Sequence, residues 1–186
     1  RLDRGKVTSA AELEAGKDFG RYLDSDGDGI PHRTYPGTHP KRGGYFTRGT
    51  SKDRYARYTE DGNAYVDNMQ RLMRKFETAK QLIPKPLLKP AAKPARFGAI
   101  YFGSTSPAMD EALHSLAEGQ IHLDALRLRA FPFPASVLEF IEAHDEVFVV
   151  EQNRDAQMRS LLINELAVAP ARLFAVLHYD GTPITA

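Results

Sequence analysis

The stretch Val149-Val150-Glu151-Gln152-Asn153-Arg154-Asp155-Ala156-Gln157-Met158 joins an apolar strand directly to a helix. Such a junction places its polar residues at the carboxyl-terminal edge of a β-sheet, where open α/β sheets carry their working residues. Glu151, Asn153 and Gln157 are therefore candidate site residues. Their carboxylate and amides can stabilise the turn or contact another subunit, and the residues alone leave these two roles open. Catalysis is the least favoured role.

Strands alternate with helices on both sides of this junction. Apolar runs predict strands over 97–102, 121–128, 147–150 and 173–177. Apolar residues at helical spacing predict a helix that begins at Ser106-Pro107 and two more over 137–143 and 155–166. This alternation predicts an α/β fold, a parallel sheet with helices on both faces.

The chain before residue 84 is organised differently. Residues 1–58 show no helical or strand period, which predicts an irregular extension. Over 60–82 the sequence predicts one amphipathic helix, because apolar residues recur at helical spacing, namely Val66, Met69, Met73 and Phe76.

Four prolines lie within residues 84–94, a density that neither a helix nor a central strand accepts. Extended geometry makes such a segment a semi-rigid spacer. We therefore expect three parts: residues 1–83, a proline-rich linker over 84–95, and an α/β domain over 96–186.

Charge is divided between the two halves. Residues 1–95 contain 19 Lys and Arg against 12 Asp and Glu, whereas residues 96–186 contain 6 against 12. A basic half can bind nucleic acid. Here the basic residues are mixed with acidic ones and no RNA-binding motif is present, which favours a solvated or subunit-facing surface. We expect no nucleic-acid partner.

Composition excludes several classes of protein. The chain has no cysteine, so it contains no disulfide, no catalytic thiol and no Cys-ligated iron–sulfur cluster. No run of eighteen apolar residues is present, so we expect no membrane span. No signal peptide is visible, and we expect a cytoplasmic protein. Because the chain lacks an initiator Met, we expect a fragment of something longer.

Three further patterns invite a ligand. Asp24-Ser25-Asp26-Gly27-Asp28-Gly29 begins like a calcium loop, but the twelfth position is Tyr35 rather than Glu. A tight polar turn is the favoured reading, and weak cation binding stays open. Gly103-Ser104-Thr105-Ser106 opens a helix whose free amides can hold an anion, although a capped helix start is the simpler interpretation.

Arg48-Gly49-Thr50-Ser51 is the third pattern. Its arginine is suited to hold a carboxylate or phosphate by two parallel hydrogen bonds. A surface loop explains the same residues equally well. The six histidines show no ligand spacing and no Gly-x-Ser-x-Gly elbow is present, so we expect neither a zinc site nor a hydrolase triad.

Taken in order, these patterns resemble one family. Before the linker come Gly29-Ile30-Pro31-His32-Arg33-Thr34-Tyr35-Pro36-Gly37-Thr38-His39-Pro40, Thr47-Arg48-Gly49-Thr50-Ser51, Tyr58-Thr59-Glu60-Asp61 and Met69-x-Arg71-x3-Lys75-x-Glu77. After it come Gly103-Ser104-Thr105, Phe131-Pro132-Phe133-Pro134 and Glu151-x-Asn153-x3-Gln157. From about Phe19 onward the chain resembles the α subunit of 2-oxoacid:ferredoxin oxidoreductases of the 2-oxoglutarate type. One departure is Lys52, where the family pattern has His.

The resemblance implies a function for the complete enzyme. Members of the family oxidatively decarboxylate a 2-oxoacid on thiamine diphosphate, pass electrons through [4Fe-4S] clusters to ferredoxin and release an acyl-CoA. Residues 1–83 would be the tail of a thiamine pyrimidine-type domain, and residues 96–186 most of a transketolase C-terminal-like domain. The implied partners are the β subunit, with ferredoxin and coenzyme A as co-substrates.

The same resemblance limits what this C-terminal fragment does. The family's upstream substrate motifs are absent from it, and the motif for diphosphate and Mg²⁺ belongs to the β subunit. We therefore expect no catalytic residue here, no metal, no cofactor bound by the fragment alone, and a role in assembly. The alternative is a non-catalytic flavodoxin-like interaction module that binds an anionic ligand at Gly103–Ser106. A calcium-binding module at Asp24–Asp28 is the third hypothesis.

Overall fold

A computed structural model describes residues 3–186 of the chain. The chain divides into two compact units, Arg1–Gln81 and Leu82–Ala186. No helix within residues 3–186 is long and apolar enough to cross a membrane.

The first unit is mostly irregular, with one short and one long helix. Helix α1 spans Ala10–Glu14 and helix α2 spans Gly62–Leu82. Helix α1 was not predicted, although Ser9 and Glu12 form a capping box at its start. Helix α2 confirms the helix predicted over 60–82 and begins two residues later, where the Asp61 carboxylate accepts the N–H of Asn63.

Helix α2 attaches to the irregular segment through polar side chains. Asn68, Arg71 and Thr78 donate hydrogen bonds to the main-chain carbonyls of Lys52, Gly29 and Asp28, at 2.7, 3.0 and 2.6 Å. These contacts satisfy carbonyl groups that an irregular segment cannot pair within itself. The long helix therefore holds a loop region that has little apolar core of its own.

The burial of α2 differs from the amphipathic pattern of its sequence. Val66 and Met73 on the apolar stripe are 50% and 64% exposed, whereas Asn68 and Arg71 are 7% and 6% exposed. The buried face of α2 contacts main-chain carbonyl groups of the irregular segment. These groups need hydrogen-bond donors, so polar side chains rather than apolar ones are buried there.

The second unit contains a five-stranded sheet with three helices. In chain order its elements are β1 (Leu87–Lys89), β2 (Phe97–Phe102), α3 (Ser106–Glu118), β3 (Leu123–Leu128), α4 (Ala135–Glu142), β4 (Glu146–Glu151), α5 (Gln157–Leu166) and β5 (Leu173–Leu177). The strands lie in the order β1-β3-β2-β4-β5. All neighbours are parallel except β1 and β3, which are antiparallel.

Two apolar clusters lie on the two faces of this sheet, as the alternation of side chains along a strand requires. Ile100, Val149 and Leu162 belong to the larger cluster, which packs against α4 and α5. Tyr101 and Met109 belong to the smaller cluster, beneath α3. The predicted fold class, a parallel sheet with helices on both faces, is confirmed.

The proline-rich segment is more than a spacer. Its residues 87–89 form β1, which pairs with β3 at the edge of the sheet. Pro86 and Pro90 bracket this strand, and an edge is the place where a sheet accepts proline. The predicted linker over 84–95 therefore includes an edge strand that was not predicted.

Candidate functional site at the carboxyl edge of the sheet

The candidate site lies where the direction of the chain reverses across the sheet. From β2 the chain crosses through α3 to β3 on one side, whereas β4 lies on the other side of β2. The carboxyl ends of β2 and β4 thus form a topological switch point, the usual ligand crevice of open α/β sheets. Gly103–Thr105 follow β2, and Glu151 ends β4. The structure brings these two predicted segments together.

Glu151 is a fully buried carboxylate at this edge, with 0% of its surface exposed. It accepts hydrogen bonds from the N–H groups of Met158 and Arg159, at 2.7 and 3.1 Å, and from the Asn153 amide at 2.7 Å. The two main-chain donors belong to the first turn of α5, whose N–H groups have no partner within the helix. A negative charge there also interacts favourably with the helix dipole. Glu151 therefore caps α5 from the preceding strand.

Asn153 continues the same network. Its amide oxygen accepts the N–H groups of Asp155 and Gln157 at 3.1 and 3.2 Å, while its NH₂ donates to Glu151. Ala156 adopts a left-handed conformation with φ of +50°, which turns the chain sharply into α5. The side chains of Glu151 and Asn153 thus hold a strained turn in place. Gln157 enters this network through its main chain.

A third side chain, Gln152, links the two loops. Its NH₂ donates to the hydroxyl oxygens of Ser104 and Thr105, both at 3.2 Å. Gln152 was not among the predicted site residues. Its position between Glu151 and Asn153, at the end of a central strand, was the available signal. Within residues 3–186 the exposed Gln157 side chain makes no hydrogen bond. Gln152 is exposed as well, but its NH₂ is engaged by Ser104 and Thr105.

This geometry offers hydrogen bonds rather than proton transfer. The buried Glu151 carboxylate already accepts hydrogen bonds from three donors. The helix start at Gly103–Thr105 is a short 3-10 turn whose two hydroxyl groups receive the Gln152 amide. The arrangement is that of a rigid, polar strand-to-helix edge suited to contact another surface.

The loop Arg48–Ser51 lies in the other unit. The Arg48 guanidinium is 5.8 Å from the ring centroid of Tyr58, and both residues are exposed. Gly49 has φ of +66° and an open surrounding, so it turns the loop. Thr50 lines a cavity with Lys52, whose ammonium is 5.3 Å from the ring centroid of Tyr22.

Two cations of the same unit contact the acidic loop. One carboxylate oxygen from each of Asp24, Asp26 and Asp28 lies within 4.8 Å of the others. The Lys6 ammonium lies 2.7 Å from Asp26 and 2.6 Å from Asp28, and Arg74 contacts Asp24 at 3.1 Å. These contacts, with the Asp24 carboxylate accepting the N–H of Gly29 at 3.0 Å, are those of a tight polar turn.

The fold of the chain is shared with a solved enzyme. No protein-family model and no curated protein sequence matches the chain. Among solved structures, all of the chain aligns with 2-oxoglutarate:ferredoxin oxidoreductase from Magnetococcus marinus, with bound 2-oxoglutarate, coenzyme A and succinyl-CoA, at 17% identity and a TM-score of 0.81. The chain spans 31% of the length of that protein chain.

A second structure is the α chain of a probable 2-oxoacid ferredoxin oxidoreductase from Thermoplasma acidophilum. It aligns with 54% of this chain and 86% of its own length, at 23% identity and a TM-score of 0.33. At 17% identity, the alignment with the Magnetococcus marinus enzyme shows a shared fold. The chain therefore has the fold of the part of that oxidoreductase with which it aligns.

Proposed function

We propose that the chain is part of the α subunit of a 2-oxoacid:ferredoxin oxidoreductase, of the 2-oxoglutarate type, in which it serves assembly. The observation that carries the proposal is the alignment over the whole chain, both units included, with one such enzyme. A doubly wound sheet alone would be weak support, because that fold hosts many functions. The irregular first unit, built around a single long helix, is a more specific feature.

The switch-point geometry supports an assembly role. Glu151 and Asn153 are fully engaged within the turn, while Gln152 and Gln157 stay exposed. Exposed amides on a rigid frame are suited to hydrogen bonds across a subunit interface. The proposed partner is the β subunit, with ferredoxin and coenzyme A as co-substrates, and a cytoplasmic location is part of the same proposal.

The cofactors of the complete enzyme are not assigned to this chain. A [4Fe-4S] cluster needs thiolate ligands, and the chain has no cysteine. The three carboxylates of Asp24–Asp28 are already bound by Lys6 and Arg74, so this loop does not fit the Mg²⁺ of thiamine diphosphate. We assign the cluster, thiamine diphosphate and Mg²⁺ to other parts of the enzyme.

The alternative is a flavodoxin-like interaction module. The strand order β3-β2-β4-β5 favours this alternative. If β2 is counted as the first parallel strand, the order is 2-1-3-4, as at the start of a flavodoxin-like sheet. Its anion site would be the Gly103–Ser106 turn. The Gln152 NH₂ contacts the two hydroxyl oxygens of that turn. The first proposal is preferred because its alignment covers the whole chain.

Asn153→Ala in the assembled enzyme tests the proposal. Losing this partly buried hydrogen-bond partner should cost roughly 1–3 kcal/mol and weaken the complex, so that any loss of rate tracks loss of complex. Glu165→Ala, at an exposed position of α5, is the matched control and should assemble normally. A fully assembled Asn153→Ala enzyme whose turnover falls more than about a hundredfold, roughly 2.7 kcal/mol in the barrier, would make the residue catalytic and the proposal wrong.

A further inference from the structure

Three cations surround one aromatic ring in the first unit. Arg21, Lys52 and Arg71 lie 5.6, 5.3 and 5.6 Å from the ring centroid of Tyr22. Any two of the charges are therefore within about 11 Å of each other, close to one Debye length at 0.1 M salt, so their repulsion is only partly screened. None of the three forms an ion pair with a carboxylate of residues 3–186.

Arg71 is the buried member of this cluster. Arg71 is only 6% exposed, and its Nε–H is a buried donor without a partner among the described residues. One Nη1–H donates to the Gly29 carbonyl at 3.0 Å. Asp24 acts on it electrostatically, but the oxygens of Asp24 already accept from Gly29 and Arg74. Buried charges in proteins are normally paired or bind a ligand.

The electrostatics of Arg71 agree with this geometry. Burial lowers the pKa of its guanidinium, and the Arg21 charge lowers that pKa further, although Asp24 and Tyr22 act in the opposite direction. Cation–π contact with Tyr22 contributes only about 0.5–2 kcal/mol to a pair. The cluster thus retains an excess of positive charge that its own unit does not balance.

A cavity lies beside these cations. Its volume is about 200 Å³, and its lining includes Tyr22, Thr50, Lys52, Asn68 and Arg71. Asn68 fixes one wall, because its amide donates to the Lys52 carbonyl at 2.7 Å. The cavity is smaller than the roughly 300–1,000 Å³ typical of sites for drug-sized ligands. It suits a compact anion rather than an extended molecule.

We propose that this cavity binds a small oxyanion, a phosphoryl or carboxylate group, held by Lys52 and by the free Nε–H of Arg71, with the Thr50 hydroxyl as a further donor. Guanidinium and ammonium groups form their strongest hydrogen bonds with such oxygens. The inference stands on the geometry of the first unit and does not depend on the proposed function.

The test uses the full chain with two probes, pyrophosphate and glutarate. Binding is measured by calorimetry, and the Arg71 Nε–H signal is followed by NMR. We expect at least one probe to bind and to shift that signal. Binding of pyrophosphate alone would identify a phosphoryl group as the favoured ligand, and binding of glutarate alone a carboxylate. Lys52→Gln should weaken binding at least about tenfold.

Lys41→Gln is the matched control, because Lys41 is an exposed lysine of the same unit that does not line the cavity. Lys41→Gln also removes one positive charge. It should change the affinity for the probe by less than about twofold, whereas Lys52→Gln should change it about tenfold. Circular dichroism checks that both variants fold. The proposal is overturned if neither probe moves the Arg71 Nε–H signal, or if Lys41→Gln weakens binding as much as Lys52→Gln does.

Discussion

Removing the Glu151 carboxylate should destabilise the second unit severely. Glu151 is fully buried, and Glu151→Ala leaves the partly buried N–H groups of Met158 and Arg159 without their acceptor. An unsatisfied buried donor costs about 1–3 kcal/mol, and loss of a charge favourable to the helix dipole adds about 0.3–1 kcal/mol. The Asn153 amide is only partly buried and can turn to water. We expect a loss of about 3–4 kcal/mol in the free energy of unfolding, a large part of a domain's total stability.

Urea unfolding followed by circular dichroism measures this loss. With a slope of roughly 1–3 kcal/mol per M, the midpoint should fall by roughly 1–4 M. Hydrogen exchange gives a local readout, because the amides of Met158 and Arg159 should lose protection before the β4 amides do. Glu151→Gln keeps one acceptor oxygen and should cost less, about 1–2 kcal/mol.

The matched control is Glu165→Ala, a glutamate on the exposed side of the same helix. It should change stability by no more than about 0.5 kcal/mol. The reasoning is refuted if Glu151→Ala stays within about 1 kcal/mol of the native chain, or if the Met158 and Arg159 amides keep their native protection.

Three further predictions concern other parts of the chain. Gly29→Ala should cost about 2–4 kcal/mol in unfolding, because a Cβ there would lie 2.2 Å from the Lys75 nitrogen at a φ of +78°; Gly27→Ala, with similar φ and open space, should cost only about 1 kcal/mol. The hydrogen bond from Lys17 lowers the pKa of Glu12 from 4.5 to about 2. The ionised Glu12 carboxylate therefore stabilises the fold fully above pH 4.5, and this stabilisation is lost as the pH falls through 2. An NMR titration midpoint of Glu12 near 4.5 would contradict this prediction. Limited proteolysis should leave a core that retains β1, because that strand pairs with β3; a stable core that starts after β1 would show the pairing to be dispensable.

The α/β unit was predictable because each of its elements carries a strong local signal. Val147–Val150 is a continuous apolar run, and Ser106-Pro107 marks a helix start, so strand and helix appear in the sequence at their positions in the structure. The placement of Glu151, Asn153 and Gln157 at the carboxyl edge was predictable for the same reason, whereas Gln152 was missed. A residue that directly follows a central parallel strand lies at the carboxyl-terminal edge of the sheet.

The first unit could not be predicted in the same way. Its stability comes from side chains of α2 that donate to carbonyls about 16 to 50 residues away in sequence, and such pairings leave no periodic pattern. The apolar stripe of α2 pointed to the wrong face for burial. The cluster around Tyr22 was missed for a related reason, because Arg21, Lys52 and Arg71 come together only in the folded unit.

The most direct test of the central proposal is ferredoxin reduction by the complex that contains this chain. The chain is tagged, the complex is purified under native conditions, and reduction is measured with 2-oxoglutarate and coenzyme A supplied together or singly. The account predicts reduction only when both are present with the β subunit, and none by the chain alone. A purified complex without 2-oxoacid-dependent reduction of ferredoxin, or turnover by the isolated chain, would contradict it.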